Sequence, residues 1–600
     1  MTTGPSDSPG PAGSRGPAGS RGPAGYVGLV LHAHLPYVHH PEQSGTLTER
    51  WLFETMTECY IPLLQVFERL TADGVPYRIV VSLSPTLLAM FDNELLQRRY
   101  CLYLDRMAEL AAREMRRTRD DARLAPLARM YRDRLAWVSH VYHDSYHHDL
   151  VGAFRRLADA GNVELATSAA THAYLPLVGP HRSAVEAQVE MGLSEFQRFF
   201  SRRPAGFWLP ECGYHPGYDQ ILAEKGLRWT CLENHGVVFA KPAPRYGVHA
   251  PVVTPSGVAC FGRDPESSKQ VWSSREGYPG DPWYREYYRD IGYDLDYDYI
   301  RPFLAPDGSR THTGFKYYRV TSGPGDTGRD GDGAGDGRGD AGRGDGAGAG
   351  GGNGTAGGAG HKEPYDPGAA AQRVDIHAGH FLWARQKQVE WLAGGSDRRP
   401  YILVPFDAEL FGHWWFEGPQ WLELFIRKSA YDQRDYLLAT PTDYLAEYPV
   451  NQPSQPILSS WGWKGYSEVW LQGDNDWVYR HLHRAAELME GLVDLFPDPN
   501  PVEKRALDQA GRELLLAQAS DWPFMMQGRA MDGYAKHRFT HHLGWFLALE
   551  KQLREKRLDT RWLGELEKTD NIFPGLDYRL FAYRAWQPSP WVAAGMAAGS

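Results

Sequence analysis

Two carboxylates, Glu211 and Asp407, each stand directly after a short apolar run. Residues 207–209 precede Glu211 in FWLPECGYHPG, and residues 402–404 precede Asp407 in ILVPFDAELFG. Such runs predict buried strands, and in barrel folds catalytic groups collect where strands end. Two carboxylates on either side of a bond are the arrangement of glycoside chemistry, in which one attacks the anomeric carbon and the other moves the proton. For Asp407 alone, the alternative is a structural carboxylate that caps a helix beside a buried aromatic cluster.

Three histidines follow other predicted strands. His32 and His34 stand at the end of YVGLVLHAH, on one face because strand side chains alternate, and His172 follows the predicted strand at residues 163–168. The His32 and His34 pair leaves three interpretations open: half of a metal site, a pair that binds substrate, or histidines with ordinary structural partners.

Strands and helices alternate along most of the chain, which predicts an α/β fold. The predicted strands are 27–31, 78–85, 163–168, 207–209 and 402–404, and we expect Pro405 to end the last of them. The charged, periodic stretch of about 93–160 predicts a helical insertion. Helices are also predicted at 48–73, 374–392, 419–429, 476–496, 501–520 and 533–556.

Composition excludes several classes of function. A net charge of −10 over 600 residues argues against nucleic acid as a partner, whereas 20 Trp and 33 Tyr suit the binding of sugar rings. Five widely spaced cysteines without a CxxC pair predict a reducing compartment and no zinc knuckle. No long apolar run or signal core is present, so we expect a cytoplasmic protein with no membrane partner, no cofactor and no metal.

Three segments lack the residues that build a core. Residues 1–25 and 321–360 are rich in Gly, with few large apolar side chains, and predict disorder. Residues 262–294 combine Gly, Pro and many aromatic residues, which predicts a long mobile loop over the site.

The motifs HAHLPY, THAYLP, WLPECGY, FDAELFGHWW and SSWGWKG together resemble glycoside hydrolase family 57, and within it the 1,4-α-glucan branching enzymes. The resemblance implies a distorted (β/α)7 barrel over 26–425, with a helical C-terminal domain over 426–600 that completes the cleft. It also implies an α-glucan substrate and a retaining mechanism, with Glu211 as nucleophile and Asp407 as acid/base.

The resemblance extends to other positions. Tyr278, in the loop of 262–294, is similar to a tyrosine that supports transfer over hydrolysis, although Tyr284, Tyr287 and Tyr288 are alternatives in the same loop. The implied substrate-binding residues are His32, His34, His172, Trp208, Arg289, Gly314, His413, Trp414, Trp461, Trp470, Asp521, Trp522 and Gln527. For Arg289 the alternative is a salt bridge to Asp290 or another neighbour, and for any single Trp it is core packing.

Other functions stay open from the sequence. An α-amylase or a 4-α-glucanotransferase of the same family would share the carboxylates. A metal-dependent hydrolase or deacetylase would use His32, His34, His172 and a carboxylate as ligands. A glucan-binding protein with weak catalysis is a third alternative.

Overall fold

A computed structural model describes residues 22–272, 277–321, 362–528 and 531–586. Its strands are β1 Gly25–Ala33, β2 Ile79–Leu83, β3 Val163–Ser168, β4 Gly206–Trp208, β5 Trp229–Leu232, β6 Val252–Val253, β7 Ala259–Gly262, β8 Tyr401–Asp407, β9 Tyr436–Leu438 and β10 Gln452–Pro453. All five strands predicted from the sequence are present.

Seven of these strands form a barrel. Neighbouring strands in the order β8-β1-β2-β3-β4-β5-β7 pair in parallel. A further parallel bridge between Arg263, just after β7, and Leu403 of β8 joins the two ends of this sheet. The predicted distorted (β/α)7 barrel is therefore confirmed. The short β6 and β10 extend the sheet beside β7, and β9 pairs with the start of β1.

Side-chain alternation along the strands divides the core into an outer and an inner part. Val27, Leu29 and Leu31 of β1 pack outwards in the large cluster that the helices share, whereas Val30 packs inwards with Trp208 and Leu403. Continuing by two residues from Val30 reaches His32, and by four from Leu403 reaches Asp407. The inward faces of β1 and β8 therefore end in the two predicted site residues.

The expectation that Pro405 ends the strand is wrong. β8 continues to Asp407, with Pro405 opposite Val30 of β1. A proline removes a ladder hydrogen bond only on the side that its nitrogen faces. On the side of β8 away from β1, the Tyr401 N–H donates to the His249 carbonyl and the Leu403 carbonyl accepts from the Asp264 N–H, and the ladder ends before position 405. A residue without an N–H therefore fits there.

Helices surround the barrel and build the C-terminal region. Those before β8 are α1 Leu47–Thr55, α2 Ile61–Ala72, α3 Pro85–Phe91, α4 Glu94–Arg117, α5 Ala125–His140, α6 Leu150–Asp159, α7 Leu175–Val178, α8 Arg182–Phe200, α9 Tyr218–Glu224, α10 Asn234–Val238, α11 Pro265–Trp272, α12 Ile291–Asp294, α13 Tyr297–Ile300 and α14 Pro367–Gly394. Those after β8 are α15 Gly418–Tyr431, α16 Pro441–Glu447, α17 Trp477–Leu495, α18 Pro501–Ala517, α19 Asp521–Gly528, α20 Asp532–Glu555 and α21 Thr560–Thr569.

The helical insertion predicted at about 93–160 is present as α4, α5 and α6. Asn93 caps the start of α4 by accepting hydrogen bonds from the backbone N–H groups of Leu95 and Leu96. The buried face of α4 includes Leu104, Met107 and Leu110, which join the main core. The insertion is thus anchored by apolar packing.

The structure differs from the sequence prediction at one domain boundary and in one predicted loop. β9, after the boundary predicted at 425, pairs with β1, so the barrel sheet draws on residues beyond that point. The segment 262–294, predicted to be a mobile loop, contains α11 and α12, and its Tyr284 and Asp290 are fully buried. Its mobility stays a prediction. Residues 1–21, 273–276 and 322–361, on which three predictions fall in whole or part, lie outside the described residues.

Within the described ranges, no helix combines the length and apolar character needed to cross a membrane.

Candidate active site

Both predicted carboxylates line one cavity at the C-terminal ends of the strands. It has a volume of about 220 Å³. Its lining residues include His32, His34, Pro36, Trp51, Thr55, His172, Glu211, Arg263, Trp272, Asp407, Glu409, His413, Trp414, Trp461, Trp470, Asp521, Phe524, Met525 and Met531. Aromatic walls with a few polar groups are typical of sites for sugars.

Glu211 is held in an unusual backbone conformation directly after β4. Its φ of 61° and the φ of 49° at Cys212 lie in the left-handed region, which non-glycine residues rarely adopt. Such strain concentrates at functional sites. The indole N–H of Trp461 donates to Oε2 of Glu211 at 2.7 Å, and the backbone N–H of Trp461 donates to the Glu211 carbonyl at 3.0 Å. One carboxylate oxygen is therefore fixed by a residue 250 positions away.

Asp407 has a second carboxylate nearby, that of Glu409. Glu409 is buried, and it accepts hydrogen bonds from the Tyr60 hydroxyl and from the backbone N–H of His34. Burial, followed by the charges of Glu409 and Glu211, raises the pKa of Asp407 well above its ordinary value. The protonated form of Asp407 is therefore favoured, which is the form that a general acid needs.

The two carboxyl groups differ in how strongly they hold a proton. Burial raises the pKa of Glu211 from 4.5 to about 7, while the hydrogen bond from Trp461 opposes the rise. The negative charge of Glu211 contributes to the raised pKa of Asp407, so an ionised Glu211 favours the protonated form of Asp407. This division matches a nucleophile at 211 and an acid at 407.

The three predicted histidines form a stacked group at one side of the cavity. Nε2 of His32 lies 3.0 Å from Nε2 of His172, and the rings of His34 and His172 stack with centroids 3.8 Å apart. Burial lowers the pKa of His32 and of His172 well below the ordinary value, so both rings are neutral. Neutral imidazoles suit hydrogen bonding to sugar hydroxyls.

These histidines do not converge as metal ligands. Nδ1 of His32, His34 and His172 each contacts a serine hydroxyl, that of Ser82, Ser84 and Ser520 respectively. Among the described residues, two other groups have ligand spacing compatible with a metal, and neither contains these histidines. The geometry thus favours the interpretation that they bind substrate.

The C-terminal helical region is part of the site. Asp521, at the start of α19, accepts from Nε2 of His34 at 3.2 Å. Ser520 contacts His172 at 3.0 Å, and the backbone N–H of Ser520 donates to the His172 carbonyl. Phe524 and Met525 continue the wall. The helical region therefore completes the cavity.

The structure brings together many of the residues predicted to bind substrate. Eight of them line the cavity: His32, His34, His172, His413, Trp414, Trp461, Trp470 and Asp521. Trp208 lies behind it and stacks on His32, with ring centroids 4.6 Å apart. Trp522 is buried and donates to the Leu516 carbonyl, and Gln527 does not line the cavity.

The loop residues predicted to act in the site lie elsewhere. Tyr278 is buried beside α14, where its hydroxyl contacts Nδ1 of His380 at 2.8 Å, and it does not line the cavity. Arg289 does not line it either, and its guanidinium pairs with Asp294 at 2.9 Å, a neighbour other than Asp290. The backbone N–H of Gly314 donates to buried Asp290, so Gly314 has a structural role here.

Several cavity residues were not among the predicted site residues. Trp51 and Thr55 come from α1, Arg263 follows β7, and Trp272 ends α11. Arg263 had no signal in the sequence, because β7 is short and was not predicted. Glu409 did have a signal, since it stands two residues after Asp407 in an acidic, aromatic segment.

The turn that carries Glu409 and His413 depends on a glycine. Gly412 has a φ of 111°, and a Cβ there would lie 1.9 Å from the Glu58 carbonyl oxygen. The close approach lets Nδ1 of His413 contact the Glu58 carboxylate at 2.8 Å, which fixes the ring at the cavity wall. Any larger residue at 412 would displace this turn.

The barrel, the carboxyl pair and the aromatic cavity are those of an enzyme that acts on glycosidic bonds. A family model described as glycosyl hydrolase family 57 matches residues 28–301, and one described as 1,4-alpha-glucan branching enzyme, C-terminal, matches residues 481–581. The chain belongs to glycoside hydrolase family 57.

Relatives match over nearly the whole chain. A 1,4-alpha-glucan branching enzyme of Thermococcus kodakarensis is 30% identical, over 91% of this chain and 77% of that protein. The solved structure of the alpha-amylase AmyC from Thermotoga maritima is 38% identical, with a TM-score of 0.82 over 94% of this chain and 99% of that one. The family 57 branching enzyme from Pyrococcus horikoshii is 29% identical, with a TM-score of 0.79 over 94% and 98%.

Proposed function

We propose that this protein is a 1,4-α-glucan branching enzyme that acts by double displacement. Glu211 attacks the anomeric carbon of an α-1,4-linked glucan while Asp407 protonates the departing oxygen, which leaves a glycosyl ester on Glu211. Asp407, now ionised, removes the proton from the 6-hydroxyl of an acceptor glucan, and that oxygen displaces Glu211 to form an α-1,6 branch. The anomeric configuration is retained.

The observation that carries the proposal is the C-terminal wall of the cavity. Asp521, Phe524 and Met525 lie within 481–581, the segment that the branching-enzyme C-terminal model matches. Asp521 is hydrogen-bonded to His34, so this wall is joined to the barrel at the catalytic centre. An acceptor chain must lie against such a wall, because transfer needs a second glucan beside the glycosyl-enzyme.

Transfer rather than hydrolysis also requires that water be hindered from reaching the glycosyl-enzyme. Trp272 at the end of α11 lines the cavity and meets the ring edge of Trp414, with centroids 5.9 Å apart. Tyr278, six residues later, keeps its predicted gating role only if this segment rearranges when substrate binds. Comparing Trp272→Ala with Tyr278→Ala therefore shows which aromatic residue controls the ratio of branches to reducing ends.

A hydrolytic function is the second candidate, because the 38% identical structural relative is an alpha-amylase. Both functions would use the same two carboxylates, so an assay must separate the products. Purified protein is incubated with amylose, α-1,6 anomeric protons are counted by NMR, and new reducing ends are counted in parallel. A branching enzyme yields α-1,6 signals with few new reducing ends.

The other outcomes contradict the proposal. Reducing ends without α-1,6 signals identify a hydrolase. A changed distribution of α-1,4 chain lengths without either signal identifies a 4-α-glucanotransferase. Glu211→Gln serves as the control, since loss of the nucleophile should abolish both products.

The physiological setting is part of the proposal. All five cysteines lie in described segments and are free, and four of them are buried. Unpaired thiols suit a reducing compartment. We place the enzyme in the cytoplasm, where it would introduce branches into an intracellular α-glucan such as glycogen.

A further inference from the structure

The helical insertion holds a second group of reactive side chains, none of which lines the active-site cavity. Cys101 lies on α4, His143 lies in a π-helical turn at Val141–Ser145, and His148 follows that turn. Sγ of Cys101 lies 4.0 Å from Nε2 of His148, and Nδ1 of His143 lies 2.8 Å from the same nitrogen. The three atoms all lie within 4.8 Å of one another.

The backbone around this group adopts conformations that are uncommon for these residues. His147 and His148 have φ angles of 49° and 69°, in the left-handed region, one residue beyond the π-helical turn. π-helical turns and left-handed non-glycine residues are frequent at functional sites. Two successive histidines in this conformation therefore indicate a functional site as well as a change in chain direction.

A buried tyrosine fixes the orientation of His148. The ring of His148 stacks on Tyr142 with centroids 4.9 Å apart and planes 24° apart, and Tyr142 is fully buried. The backbone N–H of His148 also donates to the Tyr142 carbonyl at 3.0 Å. The imidazole is thus held with Nε2 towards Cys101 and His143 before any ligand arrives.

We propose that Cys101, His143 and His148 form a zinc site that joins α4 to the turn after α5. Tetrahedral Zn²⁺ with ordinary bond lengths separates two nitrogen ligands by about 3.3 Å and a sulfur from a nitrogen by about 3.6 Å. The observed 2.8 Å and 4.0 Å reach these values with shifts of about half an ångström. One thiolate and two imidazoles suit zinc, and water supplies the fourth ligand.

Binding changes the protonation of the ligands in a defined way. The Cys101 thiol loses its proton to the buffer as the Sγ–Zn bond forms. Nδ1 of His143 and Nε2 of His148, which share a hydrogen bond without the metal, each present a lone pair to zinc. The proton between them moves to the other nitrogen of its own ring, so each imidazole stays neutral and the net release is one proton.

The second group with metal-compatible spacing receives no such assignment. Glu513, His542 and Asp570 are fully buried, and the guanidinium of Arg538 lies 3.8 Å from Asp570. A resident positive charge already offsets the carboxylates there. The Cys101 group is half-buried, which leaves a path for the ion.

The test uses the full-length protein after treatment with a chelator. CoCl₂ is added as a spectroscopic probe, followed by ZnCl₂, and bound metal is counted by mass spectrometry. We expect one equivalent of Co²⁺ with a thiolate-to-cobalt charge-transfer band, displaced by Zn²⁺. Cys101→Ser should lose the band and bind zinc at least about tenfold more weakly, because even outer-shell partners of metal sites contribute that much.

Two further variants keep the result interpretable. His148→Asn should weaken zinc binding as well, and it serves as a second test in case Cys101→Ser disturbs α4. Asparagine is chosen because it tolerates the left-handed backbone at position 148. His541→Ala is the control: it removes one of two histidines whose rings lie close together on α20, outside the Cys101 group, and should leave the Co²⁺ band unchanged. Branching activity should be unaffected in all three variants. Absence of the band in the wild type, or equal zinc affinity in Cys101→Ser, would overturn the assignment.

Discussion

Replacing Glu211 with glutamine should stabilise the protein at alkaline pH but hardly at acidic pH. The reason is the pKa of this carboxyl group, which burial raises from 4.5 to about 7 in the folded protein. A raised folded pKa means that the folded state binds more protons than the unfolded state, so stability falls as pH rises from about 4.5 to about 7. Glutamine keeps an acceptor for Trp461 and carries no charge at any pH.

The size of the effect follows from the shift. The two pKa values differ by an amount that corresponds to about 3 kcal/mol. The side chain of Glu211 is 20% exposed, so this is an upper value. With an unfolding entropy of about 2.1 cal/mol/K per residue over roughly 500 ordered residues, the gain corresponds to about 3 °C in Tm. At about pH 5 the gain should fall below about 1 kcal/mol.

Differential scanning calorimetry at about pH 5 and about pH 8 measures the effect. Glu555→Gln is the matched control, because Glu555 is half-exposed and pairs only weakly with Lys551, at 3.9 Å. The Tm of Glu555→Gln should differ little from that of the wild type at both pH values. Equal gains in Tm for Glu211→Gln at both pH values, or no gain at the alkaline pH, would refute the inference that burial raises the pKa of Glu211.

Three further predictions concern the surroundings of the pair and the insertion. Glu409→Gln removes a charge that raises the pKa of Asp407, so the alkaline limb of the pH–rate profile should move to lower pH; an unchanged limb would contradict this. Trp461→Phe removes the N–H that lowers the pKa of Glu211, so the acidic limb should move to higher pH, with about a tenfold loss of kcat/KM; a limb that stays in place would count against it. Replacing 322–361 with a short Gly-Ser linker should leave Tm and activity unchanged, because the Arg319 N–H donates to the Glu363 carbonyl at 3.0 Å and holds the two ends together; a large fall in Tm would show that the segment is structural.

Local sequence patterns were enough to find the strands that carry the catalytic centre. An apolar run followed by a carboxylate or histidine identified β1, β4 and β8, because these strands are buried on both faces and are therefore mostly apolar. Alternation along β1 and β8 then explains why His32 and Asp407 reach the cavity. β6 and β10, at two residues each, offer no such pattern.

Contacts between distant segments could not be predicted in the same way. Trp461 meets Glu211 across 250 residues, and Trp272 enters the cavity from the end of a helix within a segment predicted to be a loop. The family resemblance predicted Trp461, which lines the cavity. It also predicted Tyr278, which lies outside the cavity with its hydroxyl hydrogen-bonded to His380. Side-chain direction within an aromatic segment depends on tertiary packing, which the order of residues does not specify.

The identity of the residue that forms the covalent intermediate can be measured directly. A fluorinated α-glucosyl fluoride that forms the glycosyl-enzyme quickly and releases it slowly should add one sugar to the protein. Peptide mapping by mass spectrometry should place that sugar on Glu211, and Glu211→Gln should remain unlabelled while Glu555→Gln is labelled like the wild type. A label on another residue, or turnover of the probe with an inverted anomeric product, would contradict double displacement at Glu211.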